Sequence, residues 1–249
     1  MFNLKKVFAI IAPKIPHTYM KRFSLILTLL LLTSCSVTQK QKENLKNELS
    51  LILKSDQELR ELFTPDLKPE RKSEILKSYN ISEDKFQKLG WNLTTKNDSV
   101  NLIKVEKIIK KYGYPGKKLV GEKLNTAAWY VIQHSKLPVI EKYYPLMIKA
   151  SENGDLGKQH IAMMKDRMLM YQGKEQIYGT QGAGRLFINP ETKKEEWVNF
   201  IWPIKNPENV NELRKSMNIK TSIEDYAKSM GIDYSKKYTL DQIEKLTKK

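Results

Sequence analysis

Apolar residues with helical spacing constrain the fold of this chain more than any other feature. Leu45, Leu49, Ile52, Leu59 and Phe63 recur at intervals of four, three, seven and four residues, so they share one face of a helix. Further segments repeat this pattern. Helices are therefore predicted over residues 45–63, 69–89 (two short helices divided at 79–80, the second capped by Ser82), 97–112, 124–135, 156–171, 210–217 and 222–230, with one more beginning near Pro138.

The spacing changes after residue 173. Residues 176–188 and 197–204 are aromatic and β-branched runs, and Asn189 and Pro190 stand between them, which favours a β-hairpin. Within the first run Gln176, Tyr178 and Thr180 alternate, so on a strand they would share one face. The sequence thus predicts a mainly α fold, with a single helical domain and a small β-hairpin insertion.

The amino-terminal segment carries a signal of a different kind. The first 35 residues hold five basic and no acidic residues, and residues 23–32 are apolar with two exceptions. A basic region, a short apolar run and a small residue before a cleavage point are typical of a secretory signal. Leu32-Thr33-Ser34-Cys35 resembles the bacterial lipobox, in which the cysteine is acylated. Lipidation is therefore predicted at Cys35, the only cysteine; the alternative is an uncleaved anchor with a chance cysteine.

These signals divide the chain into four predicted parts. Residues 1–35 form the signal, although Met20, followed by Lys21 and Arg22, is a possible true start. Residues 36–44 form a polar tether, 45–235 the helical domain and 236–249 a basic tail. A protein processed in this way is lipid-anchored in a bacterial cell envelope with its domain outside the cytoplasm, in the outer membrane if the cell is Gram-negative.

The charge of the chain bears on its partners. The net charge is +16, and without residues 1–35 it is +11, from 39 basic and 28 acidic residues. For an exported protein we expect the lipid bilayer and an acidic envelope polymer or an envelope protein as partners, and no nucleic acid. The alternative is a lysine-rich solvated surface. One cysteine and three histidines exclude a disulfide framework and leave little scope for a metal centre, so neither metal nor cofactor is predicted.

Several polar side chains fall where the helical spacing requires apolar ones. One more turn along the first stripe gives Asp56, and Arg60 follows at the distance that allows the two to pair. Gln133 and His134 end the apolar helix 124–135, where His134 shares a face with apolar residues, and Asp166 lies among apolar neighbours in helix 156–171. Buried carboxylates need partners. These groups therefore form either an internal hydrogen-bonding network or a ligand pocket.

The candidate site residues follow from this pattern. The candidate catalytic residues are His134, Asp166 and Asp56, as acid, base or activator of water. The candidate binding residues offer hydrogen bonds that suit sugars, peptides or anionic groups; they are Arg60, Gln133, His134, Asp166, Arg167, Gln176, Tyr178 and Gln181. The sequence contains no phosphate-binding loop, Gly-x-Ser-x-Gly elbow or His-Glu-x-x-His zinc motif.

Four short signatures occur together and in order. They are DQxxR at 56–60, Gln133-His134, Asp166-Arg167 and GxxQxYGTQ at 173–181. This series resembles a bacterial family of domains of unknown function, over residues 49 to 226. The resemblance implies a shared fold and a shared polar cluster, without an assigned reaction. The chain departs from the family pattern after His134, where Ser135-Lys136-Leu137 stands instead of an Ala-Asp pair, and in the insert at 191–196.

Three functions are consistent with these observations. The first is an envelope lipoprotein that binds a polar ligand or an envelope component through the Gln/Tyr/His/Asp/Arg cluster. The second is a hydrolase or lyase acting on envelope polysaccharide or peptide. The third is a structural or interaction domain with an internal polar network. If His134, Asp166, Arg167, Gln176 and Gln181 line one open cleft, the first two functions are favoured. If these side chains are fully buried and bonded to one another, the third is favoured.

Overall fold

Helices dominate the computed structural model, which describes residues 37–64, 66–189 and 191–247. The predicted lipobox and signal lie outside the described residues. The chain divides between Lys42 and Glu43 into two units, of which the first is described only over residues 37–42. The described elements are α1 Gln39–Glu61, α2 Pro69–Ser78, α3 Glu83–Tyr112, α4 Lys117–Val120, α5 Ala127–Gln133, α6 Leu137–Glu152, α7 Lys158–Tyr171, β1 Gly182–Ile188, β2 Glu195–Ile201, α8 Val210–Ser216, α9 Ile223–Ser229 and α10 Leu240–Thr247. The mainly α prediction with one small hairpin is confirmed.

The main core lies among the helices between α1 and α7. Leu49, Ile52 and Leu59 of the first predicted stripe are buried, and Trp129 of α5 lies at the centre of the packed cluster. The indole nitrogen of Trp129 donates to the backbone oxygen of His160 at 3.1 Å, so this large ring is buried without an unpaired donor. Phe63, the last member of the stripe, lies beyond α1 and stacks instead on the exposed ring of Trp91.

Helix α3 is longer than the sequence suggests. Its start is as predicted, since the Ser82 side chain accepts from Lys85 N. The predicted end at 89 and restart at 97 are wrong, because one helix runs through both positions. The polar side chains in this stretch have hydrogen-bond partners. Thr94 Oγ1 donates to the Gly90 backbone oxygen of the same helix, and Asn97 Nδ2 donates to the backbone of α1. Tertiary contacts therefore override weak helix propensity.

The hairpin begins later than predicted. Strands β1 and β2 pair antiparallel, with Gly182 opposite Ile201 and Leu186 opposite Trp197. The strand predicted over 176–181 is wrong; apart from one bridge between Gln176 and Ile204, this segment is a loop. Side chains, described below, bind the backbone groups that a strand would have paired.

Helix α10 packs against one face of the hairpin. Ile243 is buried with the aromatic rings of Phe187 and Phe200, which share that face. This helix lies within residues 236–249, the segment described above as a basic tail, and α1 begins at Gln39, within the predicted tether. Among the described residues, the helices are all too short or too polar to cross a membrane.

Candidate functional site

A buried aspartate and a histidine from distant parts of the chain form the centre of the site. Asp56 lies on the buried seam of α1 and is 0% exposed, whereas His134 follows α5 and is partly exposed. His134 Nδ1 lies 3.0 Å from Asp56 Oδ2 and 3.2 Å from Oδ1. A carboxylate only accepts hydrogen bonds, so Nδ1 is the donor of this pair; in the neutral ring the lone pair then lies on Nε2. Nε2 has no hydrogen-bond partner among the described residues.

Two further side chains hold this pair in place. Gln57 Nε2 donates to Asp56 Oδ2 at 2.6 Å. Arg60 Nη1 donates to the Asp56 backbone oxygen at 2.6 Å and lies 3.6 Å from its Oδ1, as the predicted i,i+4 pairing requires. Arg60 Nη2 also donates to Asp98 Oδ2 on α3, at 2.8 Å. One guanidinium therefore serves two carboxylates, and Asp98 Oδ1 is left without a partner in the described part of the chain.

Two of these groups, Asp98 and His134, line a groove of about 690 Å³, which we call the His134 groove. Lys136 contributes a third ionisable group, and Tyr171, which is 45% exposed, contributes an aromatic ring. The lining residues are Thr95, Asp98, Ser99, Leu102, the segment 134–139 and Tyr171. The groove thus combines a carboxylate, an imidazole, an ammonium group and hydroxyl groups with apolar walls, a composition typical of sites for polar organic molecules.

The second predicted carboxylate has a different role. Asp166 of α7 is 0% exposed, and its oxygens accept from the backbone N–H groups of Ile177, Tyr178 and Thr180 at 2.8 to 3.1 Å, and from Thr180 Oγ1 at 2.9 Å. Burial raises the pKa of Asp166, and these hydrogen bonds offset part of that effect. The carboxylate oxygens of Asp166 thus accept their hydrogen bonds from the loop 177–180. None of these donors is also a hydrogen-bond partner of Asp56.

Buried polar side chains hold the rest of that loop. Gln176 is 0% exposed; its Nε2 donates to the backbone oxygens of Gln181 and Trp202, and its Oε1 accepts from Gln181 N. Arg214 Nη1 donates to the backbone oxygens of Tyr178 and Gly179. The carboxylate of Asp166 therefore binds the N–H side of the loop and the guanidinium of Arg214 its C=O side.

The family of unknown function DUF6624 matches residues 80–238, more than half of the chain. The chain belongs to this family. No curated protein and no solved structure matches it. The resemblance to a domain of unknown function is thus confirmed, although the match starts at residue 80 and not near 49.

The DUF6624 match divides the Asp56–His134 pair. Asp98, His134 and the loop bound by Asp166 lie inside the matched residues, whereas Asp56 and Arg60 lie before residue 80. The lining of the His134 groove thus lies entirely within the DUF6624 region, whereas the carboxylate that bonds to His134 comes from helix α1, outside that region.

The remaining predicted site residues lie apart from the His134 groove lining. Gln133 Nε2 and Gln181 Nε2 both lie 3.4 Å from the Met163 backbone oxygen. Tyr178 is half-buried, and its pKa is raised by burial and by the charge of Asp166. Arg167 makes no hydrogen bond or ion pair with the described residues, and its Nε is buried. The single predicted cluster is therefore two clusters, one bordering a groove and one supporting a loop.

Gln57, Asp98 and Arg214 were not among the predicted site residues, although Gln57 belongs to the DQxxR signature. Asp98 lies seven residues before Val105, at helical spacing from it, so the pattern could have revealed it. The contact of Arg214 with loop 177–180 depends on the fold, because 35 residues separate Arg214 from Gly179.

Proposed function

We propose that this protein is a lipid-anchored envelope protein whose DUF6624 domain binds a polar ligand in the His134 groove. Acylation of Cys35 would fix the chain to the bilayer and place the domain outside the cytoplasm. The ligand is an envelope polymer fragment or another envelope component that carries hydroxyl or N–H groups. The net charge of +11 after residue 35 favours an acidic envelope as surroundings.

One observation carries the binding proposal. His134 lines the groove, its Nδ1 is held by the fully buried Asp56, and its Nε2 has no hydrogen-bond partner among the described residues. Because the hydrogen bond to Asp56 already fixes the imidazole ring, the ring loses little conformational entropy when a ligand binds, which favours binding. Asp98 also lines the groove, but its Oδ2 already accepts from Arg60 and its Oδ1 is buried, and Lys136 adds a cation to the lining. The imidazole acceptor favours a ligand that donates a hydrogen bond, such as a sugar hydroxyl or a peptide N–H.

Retention of soluble cell-wall fragments tests this proposal. The full-length protein is immobilised in detergent, fragments released from the envelope polymer are applied, and retained species are quantified by mass spectrometry. His134→Gln, which keeps a polar side chain but lacks the fixed imidazole, should lose retention about tenfold or more. His160→Gln is the matched control, because His160 packs on Trp129 and is not among the groove-lining residues. Equal retention by wild type and His134→Gln would contradict the proposal.

A second function is favoured by the Asp56–His134 hydrogen bond. A carboxylate bonded to Nδ1 stabilises the imidazolium that forms when Nε2 accepts a proton, so His134 can act as a general base on water or on a ligand hydroxyl. The two serines of the groove lining, Ser99 and Ser135, donate to the backbone oxygens of Thr95 and Val131, at 3.0 and 2.8 Å. A hydrolase or lyase in which His134 activates water is therefore the alternative.

Product formation separates the two functions. In the same fragment mixture, an enzyme would generate new species in time, and general-base catalysis contributes roughly 10²- to 10⁴-fold in rate. His134→Gln should then abolish the new species, while His160→Gln should leave them. A mixture that stays unchanged with wild-type protein, although fragments are retained, would assign the groove to binding alone.

A further inference from the structure

Arg167 is a cation that has no anionic partner in the part of the chain that the structure describes. Its side chain is partly buried on α7, its Nε is buried, and it makes no hydrogen bond or ion pair with any residue that the structure describes. The Tyr226 phenol is close enough for the Arg167 charge to lower its pKa in part, against the larger effect of burial. A guanidinium is always charged and carries five donors, and its burial is unfavourable unless an acceptor is present. The Arg167 side chain therefore has the properties of a group that binds an anion.

A second groove surrounds this side chain. It measures about 390 Å³ and shares no lining residue with the His134 groove. We call it the hairpin groove; its lining residues are Arg167, Thr180, Gln181, Gly182, Ala183, Gly184, Asn199, Tyr226, Met230 and Ile232. Asn199 is exposed, and its Nδ2 makes no hydrogen bond with the described residues. A cation and a free amide thus occur beside glycine backbone, where a ligand can approach closely.

An aromatic ring outside the lining contacts two of the lining residues, Gly184 and Asn199. Trp197 is 65% exposed, and its Nε1 donates to Asn199 Oδ1 at 2.9 Å. The ring covers Gly184, since a Cβ on that glycine would lie 2.5 Å from a ring carbon of Trp197. Leu186, opposite Trp197 in register, is exposed too. An exposed indole held in one orientation offers a flat apolar surface at low entropic cost.

We propose that the hairpin groove binds an oligosaccharide that carries carboxylate groups. The carboxylate pairs with the Arg167 guanidinium, the apolar face of a sugar ring stacks on Trp197, and Asn199 donates to ring hydroxyls. A lone anion would use the guanidinium and leave the exposed indole unused, whereas a neutral sugar would leave the cation unpaired. An acidic sugar satisfies both features. The proposal is independent of the function assigned to the His134 groove, because the two sites share no lining residue.

Calorimetric titration of the full-length protein in detergent tests this site. The probe is tetragalacturonate, and its carboxyl-reduced form, which keeps the sugar rings but lacks the charge, is the matched ligand. Wild type should bind tetragalacturonate saturably in the millimolar range or below, and bind the reduced form about tenfold more weakly or worse. Inorganic phosphate tests whether an anion alone is sufficient; it should bind more weakly than tetragalacturonate.

Two variants and two controls locate the site. Arg167→Met should weaken binding of tetragalacturonate about tenfold or more, and Trp197→Ala severalfold. Arg185→Met changes an exposed arginine on the opposite face of β1, and Trp91→Ala removes an exposed indole on α3; both should bind as wild type. Arg167→Met should melt no lower than Arg185→Met, because it removes an unpaired, partly buried charge.

Four results would overturn the proposal. They are the absence of saturable binding by wild type, equal affinity for the charged and reduced oligosaccharides, full affinity in Arg167→Met, and a melting temperature of Arg167→Met well below that of its control. The last would show that Arg167 serves folding. Phosphate binding as tight as that of tetragalacturonate would replace the carbohydrate site with a simple anion site. Loss of binding in His134→Gln would show that the ligand occupies the other groove.

Discussion

Replacement of Asp166 by asparagine should destabilise the protein strongly. The carboxylate accepts from three backbone N–H groups and from the Thr180 hydroxyl. An amide oxygen in the Oδ2 position can keep the bonds from Tyr178 and Thr180, but the amide nitrogen then faces the Ile177 N–H, donor against donor. An unpaired buried donor costs about 1–3 kcal/mol, and the retained bonds lose their charge assistance. We therefore expect a loss of about 3 to 5 kcal/mol.

This loss is large beside the total stability of a domain, which is about 5–15 kcal/mol. For a domain of this size each kcal/mol shifts the melting temperature by about 2–4 °C, so Asp166→Asn should melt roughly 6–20 °C below wild type. Circular dichroism of the full-length protein during heating measures the shift. Asp84→Asn is the control, because Asp84 is exposed in the first turn of α3.

A catalytic Asp166 would behave in the opposite way. If it activated water, its replacement by asparagine would abolish turnover and leave the melting temperature close to that of wild type, as removal of a strained active-site charge often does. An unchanged melting temperature for Asp166→Asn would therefore refute the structural role and return Asp166 to the candidate catalytic residues. An equal loss in Asp84→Asn would show that the shift reports net charge.

Three further predictions concern other parts of the chain. Gly179→Ala should lower the free energy of unfolding in urea by about 2–4 kcal/mol, because Gly179 has φ +65° and the new Cβ would lie 2.7 Å from an isoleucine side chain. The control is Gly154→Ala, at φ +74° in open space, which should lose only about 1 kcal/mol. Equal losses in the two variants would contradict the packing argument. Burial lowers the pKa of His160 below its usual 6.5, so its contribution to stability is complete above pH 6.5 and is lost as the pH falls through the lowered value. In His160→Gln the free energy of unfolding in urea should therefore fall less steeply with decreasing pH than in wild type. An unchanged pH profile would contradict this prediction. Cys35→Ser should leave the membrane fraction on cell fractionation, and unchanged partition would refute lipidation.

The fold was predictable where local spacing decides the structure. The helical period of α1 and the capping role of Ser82 depend on residues within one or two turns, and both are observed. The continuity of α3 was not predictable in this way, because Asn97 is satisfied by a backbone oxygen 42 residues away. The strand predicted from the alternation at Gln176 failed for the same reason. Asp166 and Arg214, both distant in sequence, bind the backbone groups that a neighbouring strand would have paired.

The candidate site could also be predicted from the sequence only in part, as its two buried carboxylates show. Spacing placed both Asp56 and Asp166 in buried positions, and both are buried; the local partner Arg60 was also visible as i,i+4. What spacing cannot supply is the second partner. Asp56 bonds to a histidine 78 residues later, whose Nε2 has no partner among the described residues, whereas Asp166 accepts from backbone N–H groups of residues 177–180 and from the Thr180 hydroxyl. Burial therefore does not distinguish the two carboxylates; their partners do, since one holds a side chain that lines a groove and the other holds a loop.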